Sequence, residues 1–482
     1  MDLGFPLKFT RGTPVTRPQD PKRTFLTPNV NRLSLQSKRM WRMYSPSSIC
    51  APSRSSIFTG RNVGLNKIRT NWNSKDMPTY AELNETVASF AQTLQASADY
   101  ETVYFGKWGL GATIGAPNLH GFENFMGFLR EGINDELLLQ FPPWLNTAVV
   151  SPDTNKTTST TVYYTGNQRF PPSELRCAIE HQATCTNANI VFRNKALTFL
   201  RQRAAYQTRP FLLVWAPTTP HASEYSFGTK ATSTTYNLAW RKGQFPPYSC
   251  KRGHAAQIEQ HIDIDIGMLL NLLEANPSLD ANTLLVFSSD NGPHADCKDD
   301  LSYTPNFFIG NGGLRGWKTY IYDGGLRVPT FVRWPGKVQP NTVSTAVQTL
   351  YDLQATFLDV AGLVPKQTGG VSLLPIWLKG DAYANSRPWA HFELCAAPKI
   401  DSSCSTGTLD TATKGHLWKL VVTPSSPQGE LYDLLVDATE ANNLASQLPD
   451  VLAHMWTLRN EARVPISSVL AVPPNLINAP WP

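Results

Sequence analysis

The sequence predicts an α/β protein: a three-layer domain with a mixed sheet between helices, followed by a smaller α+β unit. Three observations carry this. Strand-like and helix-like segments alternate through the body of the chain. One strand-like segment, residues 283–287 (TLLVF), runs directly into Ser288-Ser289-Asp290-Asn291-Gly292, a turn-forming run at a strand's carboxyl end. After about residue 375 the pattern changes to short segments of antiparallel character and a helix. The expected division is therefore 1–375 for the main domain and 376–482 for the smaller unit.

Taken in order, residues 197–206 (LTFLRQRAAY) read as a helix leading into a strand at 211–215. Residues 256–274 (AQIEQHIDIDIGMLLNLLE) place apolar side chains at helical spacing, and Asn276-Pro277 marks a turn. Residues 283–287 read as a buried parallel strand. Ligands in open α/β sheets gather beyond the carboxyl ends of strands, so Asp290 and Asn291 stand where chemistry is expected. Further on, 418–422 (WKLVV) and 430–434 (ELYDL) read as antiparallel strands. Residues 442–459 read as a helix broken at Pro449, and the proline-containing tail 464–482 as irregular.

Composition agrees with a globular chain: 482 residues, 41% hydrophobic and 17% charged. No apolar run approaches the roughly 18 residues of a membrane span. The net charge of +6 is uneven, because residues 1–70 carry 13 Lys and Arg against only Asp2 and Asp20. Such a basic stretch suits anionic substrates, and equally a solvated face or nucleic-acid contact; charge does not decide between them. Cys50 aside, six cysteines remain (Cys177, Cys185, Cys250, Cys297, Cys395 and Cys404), enough for up to three disulfides and without zinc-like spacing. With the sequons at Asn84 and Asn155 they point to a secretory, lysosomal or extracellular compartment, although the first residues hold no signal-peptide apolar region.

The sharpest motif is Cys50 to Arg61, CAPSRSSIFTGR, which fits C-x-P-S-R-x-x-x-x-T-G-R at every fixed position. A buried cysteine in a turn would account for none of the other fixed residues. Gly106-Lys107-Trp108-Gly109-Leu110-Gly111 with His120-Gly121-Phe122-Glu123, Pro220-His221, Asp290-Asn291, and Leu314 to Gly336 (LRGWKTYIYDGGLRVPTFVRWPG) follow in order. Together they resemble the type I, formylglycine-dependent sulfatases. That resemblance implies an alkaline-phosphatase-like fold and hydrolysis of sulfate monoesters, in the manner of arylsulfatases.

In that family a formylglycine-generating enzyme oxidises the motif cysteine, here Cys50, to an aldehyde. One hydroxyl of the hydrated aldehyde attacks sulfur and displaces the alcohol. The other then loses its proton, expelling sulfate and restoring the aldehyde, whereas a serine would stay trapped as a sulfate ester. The resemblance gives Arg54, Lys107, His221 and Lys318 the contacts to the sulfate, with His221 and Lys318 assisting the leaving group. It gives Asp2, Asp290, Asn291 and the group made from Cys50 to a divalent cation, calcium with magnesium as the alternative.

Three departures stand out. Gly109 replaces the family's usual histidine, Asp323 replaces its glutamate, and Asp2 matches the second of two aspartates while Met1 stands in place of the first. The apolar strand expected ahead of Asp2 is missing from the sequence, as if its start had been set too late or the chain were a truncated or non-catalytic member. The competing functions are a non-catalytic sulfated-glycan-binding protein and a phosphoester or phosphonate hydrolase of the same superfamily. The expected partners are a sulfated small molecule or glycan and the formylglycine-generating enzyme, with no nucleic acid and no membrane span.

Overall fold

The computed structural model describes residues 25–71, 82–83, 88–111, 115–129, 146–149, 162–163, 188–206, 209–221, 250–294, 308, 310–364, 369–384, 387–396 and 401–465. Asp2, both sequons, Cys177, Cys185 and Cys297 lie outside these residues. Among the described residues no helix is long and apolar enough to cross a membrane.

Among the described residues nine strands build the main layer: β1 (Lys38–Tyr44), β2 (Glu101–Lys107), β3 (Asn124–Phe128), β4 (Asn146–Val149), β5 (Val162–Tyr163), β6 (Phe211–Ala216), β7 (Leu285–Phe287), β8 (Phe331–Arg333) and β9 (Thr342–Thr349). They fall into two sheets, ordered β7-β8-β1-β9 and β5-β4-β3-β2-β6. Pairing is mixed: β1 runs parallel to β9 and antiparallel to β8, and β2 runs parallel to both β3 and β6.

Helices cover both faces. On one side α1 (Pro28–Leu35) packs with the long helix 188–205 and with 263–274, around Leu33, Phe192, Leu200, Ile266 and Leu270. On the other, α2 (Cys50–Thr59) and α3 (Phe90–Ala98) pack with helix 352–360 around Phe58, Phe90, Trp108 and Leu358. Local chemistry fixes the ends of these helices. Ser89 and Gln92 form a reciprocal capping box on α3. Thr27 makes no side-chain cap on α1, and Asp263 supplies one from across the fold, accepting from the Asn29 and Val30 amides at 2.9 and 2.8 Å.

Three sequence expectations are corrected. The helix expected over 256–274 contains a π-helical segment, Gln257–Ile262, between Cys250–Ala256 and Asp263–Glu274. Pro449 begins a helix, Pro449–Ala462, instead of breaking one; at the first helical position its missing N–H is no loss. Finally β7, expected to be a buried parallel strand, is short, half-buried along most of its length and antiparallel to β8.

The direction of β7 follows from its pairing with β8, and its partial exposure from its position: among the described residues β6 and β7 are edge strands, and both line a cavity of about 830 Å³. Its walls include Leu212, Val214, Leu285 and Phe287, and it reaches Arg54, Tyr104 and Asp290. Every residue of β6 is only half-buried, unlike the fully buried stretch of β2 beside it.

The C-terminal sheet is an antiparallel meander of β10 (Trp389–Cys395), β11 (Cys404–Asp410), β12 (Trp418–Thr423) and β13 (Ser426–Asp433). Cys395 and Cys404 face each other across β10 and β11 and form a disulfide. Helix 449–462 covers one face of this sheet, and the other packs on Tyr44, Ile321, Tyr322 and Leu326. At that junction the buried Lys419 ammonium lies 2.8 Å from both Asp323 and Glu440. Burial works against its charge, yet the two carboxylates hold its pKa above the usual lysine value.

The cavity makes a contrast that thermal melts can check. Val214→Phe, which grows into open space, is expected to leave the melting temperature within about 2 °C of wild type. Val421→Phe, in the closed core under the C-terminal sheet, is expected to destabilise by about 1–3 kcal/mol.

Candidate active site

The site starts from one helix end. Ile49 is extended and offers no cap, so α2 begins at Cys50 with its first-turn amides directed at whatever lies in front. The Ala51 amide is taken by the Asn71 side chain at 3.0 Å. Cys50 forms no disulfide, is 2% exposed, and its Sγ lies 3.6 Å from Asn291 Oδ1. This sulfur stands where the oxygens of a hydrated aldehyde would be placed after modification.

One turn along α2, Arg54 points back across the site. Its Nε and Nη2 lie 2.9 and 2.7 Å from Asp290 Oδ2, and both side chains are 7% exposed. Its Nη1 donates to the Lys107 carbonyl and, at 3.2 Å, to the Tyr104 hydroxyl. Ser45 and Ser53 both donate to the Asp290 carbonyl, so backbone and side chain of that residue are gripped together. Asn291 is wholly buried, and its carbonyl accepts from Ser289 Oγ at 2.9 Å.

Lys107 ends β2 and is 5% exposed. The preceding Gly106 takes φ +124°, and a Cβ there would sit 1.9 Å from the Ala216 carbonyl of β6. Gly109, in place of the family's histidine, also has positive φ, +72°, a conformation costly for a branched or bulky residue. Lys318 sits on a turn closed by Tyr320 N to Trp317 O. Its own amide donates to Pro293 O at 2.8 Å, and the next amide, of Thr319, donates to Ser48 O at 3.0 Å. These two bonds wedge Lys318 between the Cys50 loop and the strand-end turn. Its Nζ is 3.0 Å from His221 Nε2.

Of the residues expected from sequence, Cys50, Arg54, Asp290 and Asn291 are therefore joined by direct contacts. Lys318 enters through the backbone of Ser48 and Pro293, His221 through Lys318, and Lys107 through its carbonyl on Arg54. Asp2 lies outside the described residues. Two neighbours escaped the sequence analysis. Tyr104 reads in sequence only as a strand aromatic, yet burial pushes its hydroxyl up to about 12 beside Arg54 and Asp290. His294, three positions past Asn291 in the same turn, stacks on His221 with ring centroids 6.1 Å apart.

In electrostatic terms the described part of the site sets three buried cations, Arg54, Lys107 and Lys318, against one carboxylate, Asp290. Such an excess in a low-dielectric setting favours an anion. The donor chemistry beside Cys50 also fits a hard cation. Asp290 and Asn291 offer carboxylate and amide oxygens at one strand end, the ligand type that calcium and magnesium take. Elsewhere among the described residues, the one cluster of His, Cys, Asp or Glu close enough for a metal is Glu393 with Cys395 and Cys404, and both of its sulfurs are spent in the disulfide.

Known proteins point the same way. A family model described as Sulfatase matches residues 18–363, and one described as N-sulphoglucosamine sulphohydrolase, C-terminal, matches 313–462. The chain is 28% identical to N-acetylgalactosamine-6-sulfatase of Mus musculus over 362 residues, which are 73% of this chain and 62% of that protein. It is 29% identical to arylsulfatase G of Rattus norvegicus over 70% of this chain and 60% of that protein. The chain thus spans less than two thirds of the length of these relatives. Among solved structures, Ps i-CgsB superimposes with a TM-score of 0.64 at 20% identity, over 89% of this chain and 86% of that one. BT4656, solved with its substrate D-glucosamine-2-N,6-O-disulfate, gives 0.60 at 18% identity over 93% and 94%.

The Arg54–Asp290 pair supplies a stability test. Arg54→Ala strands a buried carboxylate and is expected to cost about 3–5 kcal/mol in chemical denaturation. The double variant Arg54→Met with Asp290→Leu leaves no charge unpaired and is expected to recover part of that loss.

Proposed function

The chain belongs to the sulfatase family, and on that premise we propose that it hydrolyses a sulfate monoester through an aldehyde made from Cys50. The observation that carries this reading is convergence. Four separate segments are joined by contacts at the Cys50 end of α2: the start of α2, the end of β2 and the Lys318 turn carry the buried cations Arg54, Lys107 and Lys318, and the turn after β7 carries Asp290 and Asn291.

In the proposed reaction a hydroxyl of the hydrated aldehyde gives up its proton to water, and its oxygen attacks sulfur as the bond from sulfur to the alcohol oxygen breaks. Arg54, Lys107 and Lys318 compensate the charge of the sulfuryl group as it transfers. His221, hydrogen-bonded to Lys318, gives a proton to the departing alcohol oxygen. The second hydroxyl then loses its proton, the carbon–oxygen bond to sulfate breaks, and the aldehyde is restored. The family depends generally on formylglycine and a divalent cation. Asp290 and Asn291, with Asp2, would hold calcium or magnesium, which when bound would polarise a sulfate oxygen and lower the diol's pKa.

For substrate we favour a sulfated sugar, in line with the N-acetylgalactosamine-6-sulfatase among its relatives and the neighbour solved with D-glucosamine-2-N,6-O-disulfate. The Cys395–Cys404 disulfide supports maturation in the secretory pathway, where a formylglycine-generating enzyme would meet the chain.

Mass analysis of the peptide containing Cys50, from protein made with that maturation enzyme, should find the aldehyde in place of the thiol. Cys50→Ala and Lys318→Ala should each lower turnover of an aryl sulfate by at least about a thousandfold. Hydrolysis of an aryl phosphate faster than the matching aryl sulfate would replace this reading with the phosphoesterase one.

A further inference from the structure

Arg54 is held on two sides by different kinds of contact. Its Nε and Nη2 both lie on a single oxygen, Asp290 Oδ2, so that contact serves as a pivot for the guanidinium. The opposite nitrogen, Nη1, meets two acceptors, the Lys107 carbonyl and the Tyr104 hydroxyl. Tyr104 also donates its own proton to that same carbonyl. The hydroxyl thus closes a three-membered ring of contacts between α2 and the end of β2.

Its ring has little freedom. Tyr104 is wholly buried, edge-on to Trp108 and Phe122 with centroids 5.4 and 5.2 Å away, and tilted against Phe125 and Phe58 at 5.7 and 6.1 Å. Those neighbours fix where the hydroxyl lies, and the hydroxyl in turn defines where Arg54 Nη1 comes to rest. Burial holds the phenol protonated through the neutral range, which keeps it both a donor to Lys107 O and an acceptor from Arg54.

We propose that Tyr104 is a positioning residue: its hydroxyl sets the plane of the Arg54 guanidinium and ties it to the Lys107 end of β2, so that both cations present one geometry to the sulfuryl group. This rests on the function proposed above, with Arg54 and Lys107 as its anion-binding groups. Tyr104→Phe keeps the aromatic packing and removes only the hydrogen bonds, which makes it the clean variant.

The test compares wild type, Tyr104→Phe, Arg54→Lys and the double variant as full-length chains with the aldehyde content of Cys50 matched by mass analysis. Tyr104→Phe is expected to lower kcat about tenfold, with KM within about twofold and the melting temperature within a few degrees. In the Arg54→Lys background the same change should cost nothing further, because the geometry it enforces is already lost. Wild-type kcat in Tyr104→Phe would overturn the inference, and so would an equal fall in both backgrounds, which would make Tyr104 merely structural. A wild-type chain that turns over no sulfate ester would fail the function reading instead. The Tyr104 inference is then read from calorimetry with inorganic sulfate: binding about tenfold weaker in Tyr104→Phe sustains it, and equal binding or none in both overturns it.

Discussion

The buried contact between Arg54 and Asp290 is the constraint on which the rest of the site depends. Neither charge could stay in a low-dielectric interior alone, so the helix that begins at Cys50 must lie against the turn that follows β7. That one requirement brings Asn291 to the Cys50 sulfur and aims Arg54 across to β2. Ser45 and Ser53 reinforce it by gripping the Asp290 backbone from the same side. A buried ion pair of this kind is weak grounds for stability, but it sets register well, and register is what a multi-residue anion site needs.

The Lys318 turn is built from the other direction. It is carried by a segment clamped to the C-terminal sheet, where Asp323 meets Lys419, Tyr44 and, through its amide, Glu440. The shorter Asp323 in place of the family's glutamate is accommodated there, with Glu440, from the loop after β13, filling the polar junction. Gly324 and Gly325 let this segment close on itself, since a Cβ at either would meet the carbonyls of Gly316 or Tyr320 at 2.1 Å. Arg327 also belongs to this frame: it stacks over Trp41 and donates to the Trp41 carbonyl. The catalytic-domain strands and the small sheet are therefore mechanically joined just behind the lysine that faces His221.

Against this firm frame stands the cavity between β6 and β7. Both strands carry groups that position the site, since Pro217 to His221 follows β6 and Ser288 to Asn291 follows β7.

The sequence by itself determined the fold class, and its motifs named the candidate nucleophile and most of the candidate site residues around it. Fixed spacings such as C-x-P-S-R and the strand-end Asp290-Asn291 are short-range patterns, and short-range patterns survive in a linear string. Short strand-like segments likewise revealed β6, β12 and β13, because such composition is local to the chain. What only the tertiary structure decided is contact between segments far apart in the chain. Tyr104 looks like any strand aromatic until α2 brings Arg54 to its hydroxyl. Pro449 could break a helix or begin one, and the packing of helix 449–462 on the small sheet selected the second. Residues 283–287 carry a buried-strand composition, but whether such a strand is buried depends on a neighbour, and among the described residues its second edge faces open space. Pairing, burial and the plane of a guanidinium are properties of three dimensions, and no local pattern encodes them.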